Sequence, residues 1–270
     1  MKLPEEIDFC LLIPCYNNFN GLIVSLNSVV YPTGNFLILV VDDGSKETVT
    51  AERVNEEIEK NIPVIVLQNE KNLGITASLN KGLSWMEENT DAKYIARLDC
   101  GDICREERFA MQVQHLDANP DTGLVGSWCR IIDEETSFDY SYKTPVQHEE
   151  IKKAMYFRNV FMHATVMFRT SLLKRTGYYP TGFEYAEDYA FFWKLINISQ
   201  SFVIDKFLVT CELNKRGISY KNKSKQLVAR GKVIGTFGPN LVLRIIAYVR
   251  LAILFILPKG ITLQFKKWKG

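Results

Sequence analysis

The 270-residue chain is 47% apolar, 12% aromatic and 24% charged, which suffices for a sizeable core and excludes collagen-like, coiled-coil and disulfide-scaffold classes. Its six cysteines include no CxxC pair and its opening nine residues form no apolar leader, so no zinc framework is expected and the setting predicted is the reducing cytoplasm. The net charge of +2 conceals a division: from Leu213 onward there are 13 Lys and Arg and no acid, which leaves 20 bases against 31 acids before it.

Phe9 to Pro14 and Phe36 to Val41 are short continuous apolar runs bounded by turn residues, the pattern of strands buried on both faces. Between them, Leu22, Leu26 and Val29 recur at helical spacing behind two asparagines able to cap a helix. The unit repeats with Pro63 to Leu67 as strand, Asn72 to Met86 as helix and Tyr94 to Leu98 as strand. Alternation of this kind predicts an α/β fold with a mostly parallel sheet flanked by helices. Farther on, Gly123 to Trp128 and Ala164 to Phe168 read as strands and Glu149 to Phe157 as a short helix. Glu187 to Ile198 reads as a helix with Tyr189, Phe192, Trp193 and Ile196 on one face.

Ligands of open parallel sheets bind beyond the carboxyl ends of the strands. The residues that follow the predicted strands are polar or acidic: Cys15 to Asn18, then Asp42 to Ser45, then Asp99 to Asp102. Any one cluster is ordinary turn chemistry. Three at one sheet edge concentrate carboxylates that repel one another and call for a cation or a function. Neither GxGxxG after the first strand nor GxxxxGK[ST] is present, which demotes a dinucleotide oxidoreductase and a P-loop ATPase. Strand-end carboxylates suit Mg²⁺ or Mn²⁺ bridging a nucleotide diphosphate, because these ions prefer oxygen ligands.

The segments IPCYNN (Ile13 to Asn18), VVDDGS (Val40 to Ser45), NEKNLGITASLNKGL (Asn69 to Leu83), ARLDCGD (Ala96 to Asp102) and YAED (Tyr185 to Asp188) together resemble family 2 inverting glycosyltransferases of the GT-A fold, over roughly residues 8–220. The resemblance implies a catalytic domain over 1–220, a nucleotide-sugar donor (usually a UDP-sugar) and inversion at the anomeric carbon. It places Pro14, Tyr16, Asp42, Asp43, Asn72, Gly74, Asn80 and Asp99 along the donor. Asp188 stands at the place of the catalytic base, and Glu187 and His163 are placed for acceptor or phosphate contacts. Asp99 opens the metal-binding DxD, whose second acid is Gly101 here, leaving Asp102 as the nearest substitute ligand. Where many relatives carry RxH, Glu212 and Asn214 stand instead, and Lys215 or Arg216 is left to serve the phosphates.

Residues 221–270 form the basic tail, whose Leu241 to Leu257 is apolar except for Arg244 and Arg250 and is followed by KKWKG. Seventeen residues are short for a span, and a central Arg costs about 2.5 kcal/mol or more to insert. An interfacial helix on an anionic membrane surface is predicted, peripheral on the inner face of the cell membrane, with packing on the catalytic domain as its competitor. Nucleic acid is not expected, because long apolar runs separate the bases. The acceptor expected is a glycan or a lipid-linked saccharide in surface polysaccharide synthesis. The alternative is a catalytically impaired relative serving as a nucleotide-binding, membrane-associated subunit, and a nucleotide-sugar pyrophosphorylase is a distant third.

Overall fold

The computed structural model describes residues 6–60, 62–133, 138–212 and 223–256. Asn214, Lys215, Arg216 and the terminal KKWKG lie outside the described residues. The first half alternates as β1 (Phe9–Cys15), α1 (Phe19–Asn27), β2 (Phe36–Asp42), α2 (Ala51–Glu57), β3 (Val64–Gln68), α3 (Ile75–Asn89) and β4 (Tyr94–Arg97). There follow β5 (Ile103–Cys104), α4 (Arg108–Ala118), β6 (Thr122–Asp133), β7 (Phe138–Tyr142), α5 (His148–Met155), β8 (Met167–Arg169), α6 (Leu173–Thr176), α7 (Glu187–Ile196) and β9 (Gln200–Glu212). Two helices, α8 (Lys223–Phe237) and α9 (Leu241–Ile256), come last.

The sheet order is β3-β2-β1-β4-β8-β6-β9-β5, with β7 beside β6. β1 to β4 pair in parallel. Beyond them the sheet is mixed: β8 runs antiparallel to both β4 and β6, β9 runs parallel to β6, and β5 closes antiparallel on β9. Side chains along β1 alternate between two cores, Cys10 and Leu12 into one and Phe9, Leu11 and Ile13 into the other. Helices cover both faces, α3 and α7 packing in the first core and α1 and α4 in the second. The two-sided cover explains why these strands read as unbroken apolar runs.

The second predicted strand of the later region differs. His163–Thr165 forms a turn of 3-10 helix, closed by Thr165 N–H and Oγ1 donating to Met162 O at 2.9 Å, and β8 begins only at Met167. The α4 helix escapes sequence reading because two polar residues stand on its buried face: Arg108 and Gln112 are both fully buried. Arg108 donates to Arg97 O at 2.7 Å and Gln112 to Thr165 O at 2.8 Å.

Helix α8 packs on the α/β body. Its Ala229, Val233 and Ile234 share a core with Tyr189 and Trp193 of α7. Asn197 Nδ2 donates to Phe237 O at 2.9 Å, and Lys232 Nζ donates to Gly182 O at 2.7 Å. Ile234→Ala is expected to cost about 2–5 kcal/mol in denaturant unfolding, as truncation of a buried aliphatic does. Val228→Ala, at an exposed position of the same helix, is expected within about 0.5 kcal/mol of wild type. Equal, small effects at both positions would show that α8 is not docked.

Candidate functional site

Register brings the strand ends together. Cys15 pairs with Asp42 and Asp42 with Gln68, while Arg97 lies beside neither but opposite Leu12, so the residues after β1, β2 and β4 emerge at one edge. Pro14 is half-buried at the end of β1, and Tyr16 follows it at 49% exposure. Asn17 holds a positive φ of 50° and ties two loops: its N–H donates to Ser45 Oγ at 2.8 Å and its Oδ1 accepts from Lys46 N–H at 2.9 Å.

The two aspartates after β2 have different tasks. Asp42, 1% exposed, accepts from Ser45 N–H and Val49 N–H, both at 3.1 Å. Asp43 accepts from Leu73 and Gly74 N–H and from Asn69 Nδ2, all at 2.9 Å, and so fixes the entry to α3. Gly44 permits this closeness: a Cβ there would lie 2.4 Å from the Lys71 carbonyl carbon. Asn72 is exposed and Gly74, at φ 89°, precedes α3. Asn80 uses both ends of its amide on the backbone of Tyr179, each at 2.9 Å, which is a positioning task.

Arg97 is 1% exposed and points into this edge. It donates to Leu12 O at 3.3 Å, to Leu98 O and to the Asp99 carboxylate, and it contacts both ring nitrogens of His163 at 3.3 and 3.4 Å. Burial is the largest single influence on Asp99 and acts to raise it, but the Arg97 charge, the His163 ring and the Arg97 hydrogen bond together hold the carboxyl below its ordinary value. Burial, reinforced by Arg97, pushes the His163 imidazole down to about 3. His163 Nε2 lies 2.8 Å from Tyr179 Oη, so the neutral ring belongs to a chain that runs from Asp99 through Arg97 to Tyr179 and Asn80.

Asp102 is 7% exposed and is pushed up to about 7 by burial and by the charge of Asp99. Ser25 Oγ donates to the carbonyls of Asp99 and Asp102 and accepts from Gly101 N–H, pinning the loop. Gly101 has φ 102°, a conformation that side chains rarely adopt, and a Cβ built there would meet Glu212 Oε2 at 3.3 Å. The carboxylate of Glu212 therefore borders the space that a second DxD acid would enter. Glu212 N–H also donates to Asp102 Oδ1 at 3.2 Å. Among the described residues no group of three or more His, Cys, Asp or Glu stands ready-made to hold a metal. The donor chemistry at Asp99, Asp102 and Glu212 is nevertheless all carboxylate oxygen, which fits Mg²⁺ or Mn²⁺.

Asp188 stands in the first turn of α7 beside Glu187. Its Oδ2 accepts from Asn159 Nδ2 at 2.9 Å and its Oδ1 from Tyr189 N–H at 2.6 Å. Burial raises it to about 6 against the opposing pull of the Tyr189 N–H and of Arg230 on α8. Glu187 is raised to about 7 by burial and by Asp188. The site thus holds two partly buried carboxyls near neutrality, the property of a group that accepts a proton at working pH.

Residues 10–177 match the family described as Glycosyl transferase family 2. The chain belongs to glycosyltransferase family 2. An uncharacterized glycosyltransferase of Methanocaldococcus jannaschii is 29% identical over 195 residues, 71% of this chain and 66% of that protein. The amylovoran biosynthesis glycosyltransferase AmsE of Erwinia amylovora is 28% identical over 70% of each chain, and the O-antigen biosynthesis glycosyltransferase WbnJ of Escherichia coli is 26% identical over 84% of each. Among solved structures, S. aureus TarS 1-349 in complex with UDP aligns at TM-score 0.65 and 19% identity over 88% of this chain and 68% of that one. The mannosyltransferase PcManGT from Pyrobaculum calidifontis, in complex with GDP-Man and Mn²⁺, aligns at TM-score 0.67 and 17% identity over 91% and 70%. These likenesses establish the GT-A fold.

Sequence reasoning passed over three residues of this family 2 glycosyltransferase. Arg97 is a charge at the end of an apolar strand, two residues before Asp99, which is a readable signal. Asn159 and Tyr179 carry none, because chain segments far apart in sequence bring them to Asp188 and His163.

The buried neutral state of His163 has a measurable consequence. Only the unfolded chain takes up a proton at His163 between its ordinary value near 6.5 and the depressed folded value, so this group's contribution to stability is present above pH 6.5 and is lost as pH falls. The His163 ring signals in NMR are expected to stay constant from pH 8 to pH 5. A titration midpoint near 6.5 would contradict the Arg97–His163 arrangement.

Proposed function

We propose that this family 2 glycosyltransferase transfers a sugar, with inversion, from a nucleotide diphosphate donor of the UDP-sugar type to a hydroxyl of a glycan or lipid-linked acceptor in surface polysaccharide synthesis. The observation that carries the reading is Asp188, a carboxylate held by Asn159 and raised to about 6 beside the strand-end acids. In the transfer, Asp188 accepts the proton of the acceptor hydroxyl as its oxygen bonds to the anomeric carbon. The bond from that carbon to the diphosphate breaks, and its electron pair leaves with the phosphate. Attack from the side opposite the leaving group inverts the centre. A positioned base contributes on the order of 10² to 10⁴ in rate.

The nucleoside is assigned to the corner formed by Pro14, Tyr16, Asp42, Asp43, Asn72 and Gly74. Half-exposed Tyr16 offers a stacking face, while Asp42 and Asp43, 1% and 5% exposed, shape the corner through the loop N–H groups they accept, and Asp43 Oδ2, bonded to Gly74 N–H, is the oxygen assigned to the nucleobase. The diphosphate is assigned to the Asp99 loop, where Asp99, Asp102 and Glu212 would hold a divalent ion. When bound, such an ion supplies charge neutralisation for the leaving diphosphate. Arg97 keeps Asp99 ionised and aimed, and His163 acts through Arg97 and Tyr179 as a positioning residue. The relatives named for amylovoran and O-antigen synthesis support a polysaccharide or lipid-linked acceptor. The basic tail supports peripheral placement on the cytoplasmic membrane face.

Asp188→Asn is nearly isosteric and is expected to lower turnover at least a hundredfold while keeping the thermal shift given by UDP, because the donor is held by other strands. Unchanged turnover would remove Asp188 from catalysis. An inactive wild type that still binds UDP, tested across donors and acceptors, would favour the nucleotide-binding subunit. Wild-type turnover should fall as pH drops through about 6, since the base must be ionised. A rate that stays level down to pH 4.5 would reject the raised carboxyl. Glu212→Gln should weaken Mn²⁺ binding, read by isothermal titration with UDP present, at least tenfold. Unaltered binding would show that Asp99 and Asp102 act without it.

A further inference from the structure

Helix α9 has two unlike sides. Ala247 is buried, Leu243 and Leu251 are partly buried against the core shared with α8, and Tyr248 Oη would stand 2.4 Å from a Cβ at Gly235 on that helix. Docking fixes the helix rotationally. On the other side Val242, Ile245, Ile246, Val249, Ile253 and Ile256 are exposed by 49–82%. At about 100° per residue these six fall within an arc of about 100°, an apolar stripe that runs the length of the helix.

The two charges that count against this segment as a membrane span stand outside the stripe. Arg250 lies with its guanidinium 5.7 Å from the Phe157 ring, and Arg244 has its Nε buried. Arg244 is half-buried and Arg250, though exposed, leans on Phe157, so neither lies on the stripe and that face carries no charge. Among the described residues no helix is long and apolar enough to cross a membrane. Sixteen residues extend only about 24 Å, short of the roughly 30 Å hydrocarbon layer. A helix packed along one side and apolar along the other has the form of an in-plane interfacial element.

Charge selects the occupant. From Leu213 onward the chain has 13 Lys and Arg and no acid. Such a segment is attracted to an anionic lipid surface and is repelled by the same segment of a second copy. We propose that α9 lies parallel to an anionic bilayer with its Val242, Ile245, Ile246, Val249, Ile253 and Ile256 face in the headgroup and acyl boundary, so that the enzyme docks on the membrane without spanning it.

The tail also reaches the catalytic side. Lys232 and Lys225 of α8 contact Gly182 O and Tyr185 Oη, at 2.7 and 3.4 Å, in the loop that leads into Asp188. It is α8, the helix on which α9 packs, that touches the segment carrying the proposed base. The membrane face extends the glycosyltransferase reading by giving a lipid-linked acceptor a surface on which to meet the site, although vesicle binding itself is measured independently of turnover.

The test uses the full chain and its Ile245→Ser/Val249→Ser double variant, both positions being exposed and outside the site. Co-sedimentation is measured with vesicles of three parts phosphatidylcholine to one part phosphatidylglycerol and with pure phosphatidylcholine. Wild type is expected to bind the anionic vesicles at least tenfold more tightly, with affinity falling as salt rises. The double variant should lose at least tenfold in binding while keeping the wild-type UDP thermal shift. Equal vesicle binding by variant and wild type would overturn the proposal. So would a concentration-dependent dimer that the substitutions abolish, since the face would then belong to a second copy. Absence of any UDP shift in wild type would count against the glycosyltransferase reading and leave the vesicle result standing by itself.

Discussion

The site is organised around one buried cation in a surplus of acid. Arg97, held by the carbonyls of Leu12 and Leu98, faces Asp99, and Arg108 donates to the Arg97 carbonyl. An unpaired guanidinium in such a place would be costly, so the local fold is built to satisfy it. Ionised Asp99 in turn raises Asp102, Glu187 and Asp188, which are already raised by burial. Burial is the main cause of their raised values; Asp99 adds to it and Arg97 opposes it. Negative charge is concentrated beyond what Arg97 neutralises, and the fold holds these carboxyls partly desolvated where a donor, an ion or a proton can relieve them.

The departures from the family pattern become intelligible through the same geometry. Gly101 lies at a φ of 102° with the Glu212 carboxylate bordering the space its side chain would enter. Loss of an acid at 101 and presence of an acid at 212 are thus neighbouring facts in space, though 111 positions separate them in sequence. The tail is likewise part of the site's surroundings: Arg230 on α8 lowers Asp188 against the effect of burial.

Much of this was legible in the sequence. The buried parallel strands, the polar clusters at their ends, the α3 and α7 helices and the apolar C-terminal helix follow from periodicity and turn chemistry. The long β9 was not, because exposed Asp205 and Lys206 interrupt its apolar residues and register shifts bend its pairing with β6. Arg108 and Gln112 masked α4 by placing polar groups in the core. Asp42 and Asp43 were found as a pair, but only the hydrogen bonds reveal that both carboxylates also hold backbone N–H groups of their loops. The links from Asn159 to Asp188 and from Tyr179 to His163 are tertiary, and no local pattern encodes them.

The account's central claim is that the fold maintains these carboxylates for ligand chemistry and at a cost to its own stability. Asp102 tests this most directly, because its folded value near 7 exceeds the unfolded value near 3.9. With the sign worked out, its favourable contribution is complete below about pH 4 and is lost as pH rises through 7. Unfolding of Asp102→Asn at pH 8 should therefore match or exceed wild type in stability, while Mn²⁺-dependent UDP binding weakens at least tenfold. A variant that is clearly less stable yet binds UDP and Mn²⁺ as wild type does would make Asp102 a structural acid and contradict the account.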